Sequence, residues 1–273
     1  DAGATADTGE TVAASGTVDT STIGSYIITY NATDTSDNVG TATRTVTVID
    51  TTAPTFVLVA AADGTYKVGD NIDITVTYDE DVSVTGTPTL TLSNGATATY
   101  QSGTGTTALV FRYTVAEGDT NSSDLSVSSY TGGVITDGSG NTAGAASGYL
   151  GAVIVDANSP VITVTSGTDT VSSGSSWTDA GATADGGETV TASGTVDTST
   201  IGSYIITYNA TDAAGNVGTA TRTVNVVDTI APVITVTSGT DTVERGNTWT
   251  DAGATADTGE TVAASGTVDT STI

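Results

Sequence analysis

Residues 161–232 read VITVTSGTDTVSSGSSWTDAGATADGGETVTASGTVDTSTIGSYIITYNATDAAGNVGTATRTVNVVDTIAP, and at residue 233 the string restarts as VITVTSGTDTVERGNTWTDAGATADTGETVAASGTVDTSTI, running to residue 273. Residues 1–23, DAGATADTGETVAASGTVDTSTI, are the same string as residues 251–273. The chain therefore opens inside one copy of a module and closes inside another. Joined at the overlap, residues 233–250 and 1–54 make a second complete module, and residues 55–160 form a longer insert of another type. A fixed internal period of this kind decides the fold, because each repeat must be one supersecondary unit.

Composition narrows what such an array can do. The chain of 273 residues carries 31 acidic and 5 basic residues, a formal net charge of −26. Nucleic-acid binding needs a basic surface to displace counterions, so nucleic acid is not an expected partner. An anionic membrane surface is excluded on the same ground, and no apolar run is long enough for insertion into a bilayer. Divalent cations are the natural counter-charge for so acidic a chain. The absence of Cys and His removes disulfides, thiol chemistry and the usual general base. Asp1 is not an initiator and nothing signal-like precedes it, so the sequence reads as a piece of something longer.

Taken in order, residues 25–32 (SYIITYNA) and 40–49 (GTATRTVTVI) alternate with period two in β-branched and aromatic residues, the pattern of half-buried strands. In the insert the spacing predicts strands at 56–61, 71–78, 89–92, 96–101, 108–115, 124–129 and 149–155. Turn signals fall between them at Asp63-Gly, Ser93-Asn-Gly, Ser102-Gly, Thr131-Gly-Gly and Asp137-Gly-Ser-Gly. No segment carries a helical period. Trp177, and Trp249 at the same place one copy on, are expected to plug one end of their cores. Pro54, Pro160 and Pro232 each follow an Asp by four residues and mark boundaries. The fold class is all-β, sandwiches in tandem, divided into residues 1–54, 55–160, 161–232 and 233–273.

The module at 161–232 resembles the immunoglobulin-like repeats of bacterial surface proteins, of the HYR-like and Cry22-like kinds. The resemblance is carried by Trp177-Thr-Asp-Ala-Gly-Ala-Thr-Ala184, Gly194-Thr-Val-Asp-Thr-Ser-Thr-Ile-Gly202, Tyr204, Tyr208, Asp212-Ala-Ala-Gly-Asn216, Thr221-Arg-Thr-Val224 and Asp228-Thr-Ile-Ala-Pro232. The insert is similar to repeat domains of giant bacterial adhesins and of the cyanobacterial swimming protein. There the matching stretches are Val68-Gly-Asp-Asn-Ile72, Val84-Thr-Gly-Thr-Pro-Thr-Leu-Thr-Leu92, Ala96-Thr-Ala-Thr-Tyr-Gln-Ser-Gly103 and Asp137-Gly-Ser-Gly-Asn141. The resemblance implies tandem immunoglobulin-like β-sandwiches in an elongated array on the cell surface. Where the family often carries an Asp-Asn-x-Asp-Gly-Asp loop, residues 185–188 read only Asp-Gly-Gly-Glu, which weakens a calcium site carried over from it.

Three oxygen-rich features recur. One is the Asp four residues before the junction Pro: Asp50, Asp156 and Asp228. A second is the Asp-x-x-x-Asn turn before the last strand: Asp34/Asn38, Asp137/Asn141 and Asp212/Asn216. The third is an acidic cluster soon after the second strand: Asp79, Glu80 and Asp81 in the insert, Asp185 and Glu188 in the short module. In an immunoglobulin-like sandwich all three would meet at one end. Ca²⁺ takes six to eight oxygens from such groups, so Ca²⁺ at the domain junctions, stiffening the array, is the expectation. The plain alternative is that Asp-x-x-x-Asn is a good turn without metal, since Asp caps an Asx turn and Gly or Asn accepts the left-handed conformation. Small sandwiches without disulfides have thin cores and usually need a staple, which favours the metal.

Other functions fare poorly. Without His no nucleophile–His pair exists, and acidic groups repeated in turns and linkers read as structural, so an enzyme is not expected. Thr-rich strands raise glycan or ice binding, but Thr is a favoured residue of solvated strand faces. Asn31, Asn121 and Asn209 begin glycosylation sequons that read as chance. An isopeptide cross-link needs lysine, and Lys67 is the only one. The expected function is a structural and adhesive repeat segment of a giant extracellular filament, stalk or adhesin. A laterally packed surface layer or motility filament is the alternative, and a glycan- or ice-binding module a further one. The expected partners are neighbouring repeats of the same chain, with self-assembly into filaments open. Strand donation between subunits is disfavoured against a continuous chain because a donor would bring a duplicate of residues 1–23 to the same place.

Overall fold

The computed structural model describes residues 1–272, and all its regular elements are strands. The fourth module is thus described up to Thr272, and Ile273 lies outside the described residues. The chain divides into two compact units. One comprises Asp1–Pro160 with Thr211–Gly218, the other residues 161–210 with 219 onward.

In the first unit, Gly24–Thr33 and Val39–Val48 form a hairpin, and Val12–Ser15 pairs antiparallel on its outer edge. The insert follows. Its axis is one strand of 22 residues, Asn71–Leu92, where the spacing predicts two strands and a break. The even-numbered residues Ile72, Ile74, Val76, Tyr78, Val82, Leu90 and Leu92 all turn into the core. The strand changes partners midway. Asn71 to Thr77 pairs with Thr106–Thr114 and Thr75 to Tyr78 with Phe56–Ala60, while Ser83 to Leu92 pairs with Ser126–Thr136. The register slips between Thr77 and Val82, so Asp79, Glu80 and Asp81 lie in a kink of a continuous strand, not in a loop.

Three further readings are corrected. Thr131-Gly-Gly is not a turn but lies inside Ser126–Thr136. The glycines are there for Pro88 on the facing strand: a Cβ on Gly133 would sit 2.7 Å from Pro88 Cδ, and Gly132 takes φ +84° at a register shift. Asp63-Gly does not end in a turn; it opens the short strand Gly64–Lys67, which pairs parallel with Val153–Asp156. The predicted strand at 149–155 is accordingly two pieces, Gly148–Tyr149 and Val153–Asp156. They are separated where Asp63 Oδ1 accepts the Ala152 N–H at 2.8 Å. The Ser93-Asn-Gly turn is as expected, closed by Leu92 N–H to Ala96 O at 2.9 Å.

In the second unit, Thr170–Ser172, Val217–Val227, Gly202–Thr211 and Thr191–Ser193 make a four-stranded sheet in that order, and Ile162–Val164 pairs with Ala182–Ala184. The core is small: Val171, Val224 and Val226, with Trp177, Val196 and Tyr204 packed against them. Trp177 closes that core as expected while donating its indole N–H to Thr168 O at 2.8 Å. Arg222 shares the inward parity of Val224 and Val226 and is buried with them. It bonds Asp169 Oδ1 at 2.9 Å, the Tyr208 hydroxyl at 3.2 Å and the Thr165 carbonyl. Tyr204 bonds back to Thr200 O at 2.8 Å, as Tyr26 does to Thr22 and Tyr66 to Ala62 in the other unit. Such backward bonds from a corner tyrosine are a sandwich hallmark. In the fourth module Ile234–Val236 pairs with Ala254–Ala256.

The insert core rests on Phe111, which is fully buried with its ring edge-to-face on Tyr100 at 5.7 Å. Phe111→Ala is expected to destabilise the insert by about 3–5 kcal/mol, read from the shift of its denaturant midpoint.

Candidate functional site

Each Asp-x-x-x-Asn turn is built the same way. The first Asp donates its own N–H to the Asn carbonyl, and its side chain accepts back from the loop. Asp137 Oδ1 takes the N–H of Ser139 and of Asn141 at 2.8 Å, and Oδ2 takes Asn141 Nδ2–H at 2.7 Å. Asp34/Asn38 and Asp212/Asn216 repeat this geometry. The turn therefore forms from local bonds alone.

What it does next is not local. Asn141 Nδ2 also donates to the carbonyl of Asp50 at 3.2 Å, and Asn216 Nδ2 donates to the carbonyl of Asp156 at 3.1 Å. Each Asn thus clips its turn to the linker that enters its own domain. Asn216 is only 3% exposed and its Oδ1 accepts the Val68 N–H at 2.9 Å, so every side-chain group is satisfied. Asn38 has the same turn but is exposed.

Around the first of these clips, carboxylates collect. Asp50 from the linker, Glu80 from the kink of the long strand and Asp137 from the turn bring one oxygen each within 4.8 Å of the others. Asp81 lines the same pocket, with Ile23 and Ile49. Burial pushes the Glu80 carboxyl up, and the charges of Asp137, Asp50 and Asp79 push it further. Burial also raises Asp137, but the bonds from Asn141, Ser139 and Gly140 outweigh it and hold that carboxyl below its usual range.

The remaining predicted residues lie elsewhere. Among the described residues no second carboxylate group of this kind forms, contrary to the expectation of one at every junction. At the Asp156 junction the neighbours of the turn are different. Lys67 Nζ donates to Gly215 O at 3.1 Å, and Glu117 accepts Ser159 N–H and Oγ–H at 3.0 and 2.7 Å. Asp156 itself takes Asn121 Nδ2–H at 2.9 Å. Burial raises the Asp212 carboxyl, but bonds from Asn216, Gly215 and Ala214 hold it low. Asp79 and Asp185 serve as caps: Asp79 Oδ1 accepts the Thr55 N–H at 2.7 Å and Asp185 Oδ1 the Val161 N–H at 2.9 Å. Each thereby fixes the first residue after a junction Pro. Glu188 folds over Gly186 with a buried, unpartnered Oε2. Asp228 accepts the Ile230 N–H.

Lys67 and Arg222 have roles that the repeat pattern does not single out. The sequence signal for Arg222 is its parity with Val224 and Val226; Lys67 has none beyond its being the only lysine.

Asn216→Ala is expected to cost about 1–3 kcal/mol, because it leaves the Asp156 carbonyl and the Val68 N–H without their partner. Asn38→Ala, at an exposed turn, should cost much less in parallel urea titrations. In acid, the stability that Asp137 and Asp212 contribute is present above the unfolded carboxylate pKa. It is lost as pH falls through their depressed folded values. Asp137→Ala and Asp212→Ala should therefore flatten the acid limb of stability against pH.

Residues 1–48 and 162–226 match the family described as bacterial surface protein, Ig-like domain. A search of the curated proteins found no match. Among solved structures the chain is similar to a Ca²⁺-stabilised adhesin of an Antarctic bacterium that binds ice, at 19% identity over 74% of this chain and 56% of that one, TM-score 0.31. It is similar also to the M60 catalytic domain with CBM51-1 and CBM51-2 of Clostridium perfringens ZmpB, at 15% identity over 84% and 30% of the two chains, TM-score 0.22. A third is protocadherin gamma B2 extracellular cadherin domains 3–6, at 12% identity over 79% and 60%, TM-score 0.27. The chain spans less than two thirds of each of these three structures. Among the described residues no helix is long and apolar enough to cross a membrane. The family match thus falls on the two short modules, and the insert between them lies outside it.

Proposed function

We propose that the chain is a non-catalytic structural and adhesive repeat segment of a long extracellular filament, stalk or adhesin, in which Ca²⁺ at Asp50, Glu80 and Asp137 stiffens the junction between residues 1–54 and the insert. The observation that carries the cation is the meeting of three carboxylates from three separate elements, one of them raised by burial and then by its neighbours' charge. All the donors are hard oxygens, and a chain without His or Cys offers nothing softer, which suits Ca²⁺ rather than zinc or copper. Three carboxylates would supply part of its shell, with Asp81 close by. The cation would also offset charge in a chain of net −26. The Lys67 contact at the Asp156 junction does with hydrogen bonds what the cation would do at the first. Adhesion follows from the family's place on the bacterial surface and from modules that span distance.

Lateral packing of the same modules is a second reading. It is favoured by Ile27 and Ile205, which occupy the same place in two modules and are both exposed, at 60% and 58%.

Thermal unfolding of the full chain in Ca²⁺ and in EDTA tests the cation. A ligand that binds only the folded form raises the midpoint with concentration. Glu80 has its pKa raised on folding, so its ionisation costs stability once pH rises past the unfolded value. In EDTA at pH 7, Glu80→Gln should therefore unfold later than wild type, yet gain less from Ca²⁺. Asp228→Asn should respond to Ca²⁺ as wild type does. Superimposed wild-type curves in Ca²⁺ and EDTA would sink the proposal and leave the acidic turns as turns.

A further inference from the structure

The insert carries an apolar sheet face that its own fold leaves in water. The pairing of Phe56–Ala60 with the long strand shifts register between Phe56 and Leu58. Val57 and Leu58, neighbours in sequence, are in consequence both turned outward, 55% and 47% exposed; a regular strand would send one of them to the core. Along the other side of Phe56–Ala60 runs the segment 148–150. There Ala61 donates its N–H to Leu150 O at 3.0 Å, and a Cβ on Gly148 would lie 3.3 Å from Val59 Cγ2. Leu150 and Val59 are buried together, and Tyr149, between Gly148 and Leu150, stands out at 72% exposure.

The face continues across the sheet. Ala60 and Leu58 pair with Thr75 and Thr77 of the long strand, which pair in turn with Val110 and Ala108. All four of these further residues are only half-buried. The alternate residues Val59, Val76 and Leu109 belong to the core, so this sheet is largely apolar on both sides, where a solvated face is ordinarily polar. Charge stands only at its ends. Asp73 and Arg112 close one end, joined by two bonds of 2.7 and 2.8 Å in which their charges cancel. At the other, Asp79 caps the Thr55 N–H.

We propose that this face of the insert, centred on Leu58 and Tyr149, packs against the same face of a second copy of the chain. Charge selects the occupant. Two copies, each of net charge −26, repel one another, and close approach is least opposed where both surfaces are neutral. A basic partner would be drawn to the acidic turns instead, and a sugar would need polar groups that Val57, Leu58, Ala60 and Val110 do not offer. Apolar side chains meeting their like leave water on both sides. A contact between identical surfaces is two-fold and closes at the dimer. The face is narrow against the roughly 800 Å² per partner of a standard interface, so one pair of inserts associates weakly, and repeats along two arrays would add their contacts. The proposal rests on the lateral-packing reading above and gives it a surface other than Ile27 and Ile205. It does not involve the cation.

Sedimentation equilibrium of the full chain in EDTA, carried to about millimolar concentration, tests it. The expected result is a monomer–dimer equilibrium that goes no further than the dimer. Leu58→Glu and Tyr149→Glu should each weaken it by about tenfold or more, with circular dichroism unchanged because both side chains are exposed. An equal mixture of Leu58→Glu and Leu58→Lys should dimerise where neither variant does alone, since a face this small sets the two new charges close together. Association lost in Ile205→Glu but kept in Leu58→Glu would overturn this face and leave lateral packing standing. A monomer at every concentration would overturn both. A monomeric chain held on an array of neutral glycans, and released by Tyr149→Glu, would give the face to a sugar instead.

Discussion

The structure of the first unit depends on one side-chain amide at each domain entrance. Asn141 and Asn216 must satisfy two masters: the Asp four residues earlier, which shapes the turn, and the carbonyl of the linker Asp, which enters the domain. A linker carbonyl brought against a turn must find a donor or carry the cost of an unpaired buried group. The amide supplies that donor without any charge. This places the turn, the linker and the start of the first strand at one end of the sandwich, where Asp79 and Asp185 in their turn cap the N–H that follows the proline.

That arrangement concentrates acid groups, and the two junctions of the first unit resolve the resulting charge differently. At the Asp156 junction Lys67 sits on the Gly215 carbonyl and Glu117 is tied to Ser159. At the Asp50 junction Asp50, Glu80 and Asp137 meet, and burial, then the charges of the carboxylates around it, raise Glu80. Repulsion at close range in a partly dry pocket is what a divalent cation relieves. It is why these three residues, of all the oxygen-rich ones that recur along the chain, make the candidate centre.

Most of the short module was legible from residues. Alternation in SYIITYNA and GTATRTVTVI placed the hairpin strands within a residue of where they lie, because a half-buried strand imposes its period on the sequence. Trp177 could be assigned to the core on size alone. The insert was harder. Asp79-Glu-Asp81 reads as a loop because three acidic residues rarely continue a strand. It continues one because the kink turns them outward while Tyr78 and Val82 stay in the core. Gly132 and Gly133 read as a turn because glycine usually marks one, and only the proximity of Pro88 explains them.

The sequence by itself determined the repeat, the all-β class, the turns and the oxygen-rich residues, since each of these follows from local pattern and side-chain chemistry. Only the tertiary structure decided which of those oxygens meet. It also decided that nearly identical hairpins differ in burial, Val46 and Val48 half-buried while Val224 and Val226 are enclosed. The physical reason is that a turn is closed by bonds between residues four apart. A carboxylate group or a filled sandwich needs contacts from segments tens of residues distant, and no local pattern encodes these.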